Sequence, residues 1–123
     1  MTNALILVDH GSRLAEANAQ LEEVAERVRA RGEYGVVKAA HMELAAPTVG
    51  EVFDACVAAG ARDVTVALWF LGPGRHSTRD VPRLAEEAAG RHPGVAWRVA
   101  EPLGVSERTV EEILERARAA RKT

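Results

Sequence analysis

Residues 4–13 read Ala4-Leu5-Ile6-Leu7-Val8-Asp9-His10-Gly11-Ser12-Arg13, and this stretch decides the fold. Five apolar residues in a row have the length and composition of a strand buried on both faces. A glycine-bearing loop with a histidine at its head then leads into Leu14, Ala17, Leu21, Val24 and Val28, which recur at helical spacing. The same sentence is spoken again further on. The run Val64 to Leu71 passes into Gly72-Pro73-Gly74-Arg75-His76-Ser77-Thr78-Arg79-Asp80, and a second helical pattern follows. His10 and His76 thus each occupy a loop between a strand and a helix, where open α/β sheets bind ligands.

Between and beyond these units the alternation continues. Gly32 marks the end of the first helix, and Val36 to Met42 reads as a second strand. A second helix is expected from Pro47, with Val49, Val52, Phe53, Cys56 and Val57 inward and Gly60 as its stop. Asp63 to Leu71 is the third strand. Ser77 or Thr78 is a candidate cap for a third helix, with Val81, Leu84, Ala85 and Ala88 inward and Pro82 in its first turn. Gly94 to Ala100 gives a fourth strand. Ser106 opens a last helix whose inward stripe is Val110, Ile113, Leu114 and Ala117.

Strict β-α alternation implies a parallel sheet with right-handed crossovers, covered by helices in three layers. The expected class is α/β, one domain over 1–123 with a four-stranded sheet in the order 2-1-3-4. That order follows from the ligand rule rather than from periodicity. It sets strands one and three side by side, so that His10 and His76 would meet across one cleft.

Composition excludes several functions. The 123 residues are 47% hydrophobic and 28% charged, as in an ordinary globular protein, and the net charge of -2 gives no electrostatic case for nucleic acid or a membrane surface. No apolar run approaches the roughly 20 residues of a membrane span. The chain enters its first strand almost at once, without a signal peptide, and a cytoplasmic location is expected. Cys56 is the only cysteine, so no internal disulfide forms; its apolar neighbours make it a packed core thiol.

The chemistry-bearing residues gather at the carboxyl ends of three strands. His10 follows strand one, with Ser12 and Arg13 just beyond. His41-Met42-Glu43 closes strand two, and Arg75 and His76 follow strand three. Two imidazoles and a carboxylate hold a divalent transition ion while leaving positions open for water or substrate. His41 shares strand parity with Glu43 and either joins the site or packs beneath it. His92, before Pro93 in a turn, is expected at the surface. Arg13 and Arg75 are suited to bidentate binding of substrate carboxylates. Gly72-Pro73-Gly74 permits close backbone approach but has neither Walker-loop nor dinucleotide spacing.

Three separated motifs make the chain resemble the small, single-domain sirohydrochlorin chelatases of the CbiX/SirB type, which are class II chelatases. They are Leu7-Val8-Asp9-His10-Gly11-Ser12-Arg13, Met42-Glu43-Leu44-Ala45-Ala46-Pro47-Thr48 and Phe70-Leu71-Gly72-Pro73-Gly74-Arg75-His76. Asp80-Val81-Pro82 and Pro102-Leu103-Gly104-Val105 also fit. The resemblance implies a flavodoxin-like domain that resembles half of a longer two-domain chelatase and, as in the family's short forms, works as a homodimer. By the same resemblance His10, His76 and Glu43 are metal-site and catalytic residues. Ser12, Arg13, Gly74 and Arg75 are expected to bind the substrate. The implied substrate is a carboxylate-rich tetrapyrrole of cobalamin or siroheme biosynthesis, and the implied ion is cobalt(II), iron(II) or nickel(II), with no organic cofactor. Asp9 stands where a small residue is expected, and Ser77-Thr78-Arg79 departs from the usual pattern after the second histidine. Neither change removes a ligand.

Other readings of the same residues are a non-catalytic metal carrier or sensor, a phosphate-transferring hydrolase with a nucleophilic histidine, and a flavodoxin-like redox protein. Ser77 after His76 breaks the Arg-His-Gly order of the histidine phosphatases, and no Ser/Thr-rich phosphate loop follows strand one.

Overall fold

The computed structural model describes residues 3–74 and 79–122. Its strands are β1 (Asn3–Asp9), β2 (Val36–His41), β3 (Asp63–Leu68) and β4 (Ala96–Val99), and its helices are α1 (Ala15–Ala30), α2 (Val49–Ala58), α3 (Val81–Ala89) and α4 (Glu107–Ala120). All pairings are parallel and the order is β2-β1-β3-β4, as the ligand rule anticipated.

Alternate residues of β1 feed two cores. Ala4, Ile6 and Val8 point to the side covered by α2 and α3, where they meet Val52, Phe53, Cys56, Val64, Val66, Val81 and Ala85. Leu5 and Leu7 point to the other side, against Leu21 and Ala25 of α1. A strand buried on both faces needs the unbroken apolar run that the sequence shows. Cys56 is fully buried and free, and burial pushes its thiol up to about 11, so it packs as an inert side chain.

Three expectations are corrected. Helix α2 begins at Val49, not Pro47, because Thr48 supplies a stronger start. Its hydroxyl accepts from the Glu51 amide while the Glu51 carboxylate accepts from the Thr48 amide, a reciprocal cap that satisfies two orphan donors. Strand β3 ends at Leu68 rather than Leu71. Trp69 still donates its amide to Val8, but from there the chain leaves the sheet. The third correction concerns α4. Ser106 caps it as expected, yet Val110, Ile113 and Leu114 are 44%, 62% and 43% exposed and the helix buries no residue.

Helix α3 carries Pro82 in its first turn, where a missing amide costs nothing, and buries Val81, Ala85 and Ala88. The proposed caps Ser77 and Thr78 lie outside the described residues.

Candidate functional site

The carboxyl rim of β1 and β2 is stitched together past the end of the sheet. Asp9 and His41 are the last register partners. Beyond them the Met42 amide donates to the Asp9 carbonyl at 2.9 Å, and the Glu43 amide donates to the His10 carbonyl at 3.0 Å. Two of the expected ligand residues, His10 and Glu43, are thereby joined backbone to backbone. Both are exposed on the rim.

Gly11 makes this approach possible. Its φ is +90°, and a Cβ there would lie 1.8 Å from the Glu43 carbonyl oxygen. Only glycine fits both the backbone angle and the space. On the β2 side, Leu44 follows Glu43 with φ +68°, a left-handed conformation that costs a leucine energy and sharply turns the chain away from the rim.

The loop after His10 is pinned by a residue that the sequence reading missed. The Asn18 side chain accepts from the Ser12 amide at 3.0 Å and donates to the Ser12 carbonyl at 2.7 Å. Helix α1 has Leu14 at its N-cap and no side-chain cap, so a polar residue one turn inside the helix holds the incoming loop instead. The unfilled cap position was the available signal. Ser12 also accepts from the Leu14 amide through its hydroxyl, which leaves the hydroxyl proton free to donate. Arg13 is exposed at the loop's crest.

The third wall comes from the end of β3. The rings of His10 and Phe70 meet edge to face, with centroids 4.8 Å apart at 72°. This contact joins the first and third strand ends, as adjacency of β1 and β3 requires. Phe70 also lines an apolar groove of about 500 Å³ together with Trp69, Leu71, Leu103, Arg108 and Thr109. The apolar residues that do not extend β3 thus serve the rim. Gly74 is exposed with open space around it. Arg75 and His76 lie outside the described residues, and among the described residues no three metal-ligating side chains come together.

His41 is the buried polar residue of the described core, 2% exposed, and its Nδ1 lies 2.6 Å from Asp9 Oδ1. It packs beneath the rim rather than on it. His92, expected at the surface, is instead half-buried: it stacks on Phe53 at 5.9 Å and its Nε2 lies 2.6 Å from Asp54. That bond, with the Arg91 guanidinium beside it, holds the Asp54 carboxyl below its ordinary range.

The comparisons with known proteins agree with this architecture. The CbiX family model matches residues 4–120. A chloroplastic sirohydrochlorin ferrochelatase of Arabidopsis thaliana is 42% identical over 102 residues, covering 83% of this chain and 45% of the relative. A sirohydrochlorin cobaltochelatase of Methanococcus maripaludis is 42% identical over 81 residues, 66% of this chain and 56% of that protein. The chain spans about half the length of the curated relatives it matches. Among solved structures, a CbiX protein assigned to cobalamin biosynthesis from Marinobacter aquaeolei VT8 superposes with a TM-score of 0.83 at 32% identity, covering 98% of both chains. SirB of Bacillus subtilis subspecies spizizenii in complex with cobalt gives 0.89 at 29% identity, covering 97% of this chain and 51% of the other. A parallel sheet in the order 2-1-3-4, a histidine rim at its carboxyl edge and a family match over nearly the whole length lead to one conclusion: the chain belongs to the CbiX family.

Proposed function

We propose that this protein is a chelatase that inserts a divalent ion, cobalt(II), iron(II) or nickel(II), into sirohydrochlorin or a related tetrapyrrole. The observation that carries this reading is the paired rim, with His10 and Glu43 held together by the Glu43 amide and the His10 carbonyl at the edge where His10 meets Phe70. The relatives named as sirohydrochlorin chelatases, and a SirB structure with cobalt, support the choice of substrate.

In this reading the substrate ion is taken by His10 and Glu43 with His76. Neutral imidazole is the ligand form, and a set without thiolate holds the ion loosely enough to release it. Insertion removes two pyrrole N–H protons; Glu43, once it has let go of the ion, is a carboxylate at the rim able to accept one, and the other passes to solvent water. Arg13 and Arg75 pair with substrate carboxylates, assisted by the Ser12 hydroxyl and by the backbone at Gly74. The Trp69–Phe70–Leu71 wall faces the apolar ring. No organic cofactor is required.

The active form in this reading is a homodimer. The exposed Val110, Ile113 and Leu114 stripe of α4 is the surface that a second copy would cover. No helix of the described residues is long and apolar enough to cross a membrane, and a cytoplasmic site of action is part of the proposal.

The test follows tetrapyrrole absorbance with cobalt(II), iron(II) and nickel(II) side by side. His10→Ala and His76→Ala should abolish insertion in folded protein, and Glu43→Gln should lower turnover about 100-fold or more if it acts as the base. Turnover at the wild-type rate in any one removes that residue from the site. Uptake that stops at one equivalent per chain would establish a carrier instead.

A further inference from the structure

We propose that Asp9 and His41 form a positioning pair that sets the spacing of His10 and Glu43 and so tunes the affinity of the site for its ion. The inference rests on the reading of His10 and Glu43 as metal ligands. Asp9 and His41 are the terminal residues of neighbouring strands and stand directly opposite each other in the register. One residue further on β1 is His10; two further on β2 is Glu43. Asp9 holds the end of β2 twice, through its carbonyl to the Met42 amide and through its carboxylate, which accepts from His41 Nδ1. His41 in turn touches the loop: a Cβ on Gly11 would lie 3.1 Å from the Cβ of His41. The His41 Cβ thus stands close against the Gly11 backbone, next to the amide–carbonyl bond that joins Glu43 to His10.

A core position alone does not explain this pair. Removing an imidazole and a carboxylate from water is costly, and apolar residues of similar size would fill the space as well or better. What the polar pair adds is register. Sliding β2 by two residues would set Asp9 opposite Ala39 or Glu43 and leave the imidazole without its acceptor, while an apolar pair would tolerate the slip. The pair closes the β1–β2 ladder, directly before the residues that reach the rim.

The test is calorimetric titration of cobalt(II) into the full chain without tetrapyrrole, with urea unfolding in parallel. Asp9→Ala and His41→Leu should each weaken cobalt binding about 10-fold or more, the scale on which groups behind metal ligands act. Asp9→Asn, which can still accept from Nδ1, should recover most of that loss. The double variant Asp9→Ala/His41→Leu leaves no orphaned buried polar group, so its stability should return towards wild type while cobalt binding stays weak. A purely structural pair would recover both together, and that result overturns the inference. The double variant also carries the test should a single variant fail to fold. A wild-type chain that takes up no cobalt would overturn the metal-site reading and this inference with it. Wild-type uptake matched by the double variant overturns this inference alone.

Discussion

The two faces of the sheet are covered very differently. On one side α2 and α3 bury a continuous core from Ala4 and Val8 to Phe53, Val66 and Val81. On the other, α1 alone seals a smaller cluster around Leu7, Leu21 and Val37, while α4 presents its apolar stripe to solvent. One face holds the larger core, and the other is only partly covered and leaves the α4 stripe exposed. The sharpest way to break this contrast is to truncate one large side chain from each. Phe53→Ala should destabilise the chain by about 3–5 kcal/mol, since Phe53 is fully buried. Leu114→Ala, 43% exposed, should cost no more than about 0.5 kcal/mol in dilute protein. Urea unfolding measures both, and comparable losses would mean that α4 packs on its own sheet.

The second prediction moves from the core to the rim between the faces. Gly11→Ala forces a Cβ against the Glu43 carbonyl and strains a backbone at φ +90°. Each effect costs on the order of 1–3 kcal/mol, so a loss of about 3 kcal/mol is expected. Because the His10 and Glu43 segments must part to admit the methyl group, cobalt uptake should suffer more than stability. A variant that unfolds and binds like wild type would show that the two segments do not need to nest.

The same contrast separates what was legible in the sequence from what was not. Strand β1 was readable because a strand covered on both faces must be apolar throughout, β3 because Val64, Val66 and Leu68 recur on its buried face, and the strand order followed from two histidines occupying equivalent loops. The stripe of α4 was readable as apolar, but periodicity says which face is greasy and not whose surface covers it. At the rim, His10 and Glu43 could be singled out by residue type, yet their juncture depends on amides and on the missing Cβ of Gly11. Asn18 escaped notice because it bonds back across six residues to Ser12. Trp69 and Phe70 looked like more of β3, since an apolar wall and an apolar strand are written with the same letters. His92 was misjudged because the turn at Pro93 suggested solvent, whereas Phe53 and Asp54 were waiting on α2.

That last misreading supplies the mildest test of the well-covered face. Asp54 bridges α2 to the end of α3 by accepting from His92 and from the Arg91 guanidinium. The hydrogen bond from His92 and the nearby guanidinium depress its folded pKa, so the carboxylate stabilises the native state at pH values above its ordinary unfolded pKa. That contribution fades as pH falls through the lower, folded value. The group is 46% exposed, so solvent screening keeps the effect under about 1 kcal/mol at neutral pH. Asp54→Asn should therefore be slightly less stable than wild type at pH 7, and the two unfolding curves should converge as acid protonates the wild-type carboxyl. A gap that persisted or widened in acid would mean that Asp54 acts through packing on His92 and not through its charge, leaving the α2–α3 face held by its apolar core alone.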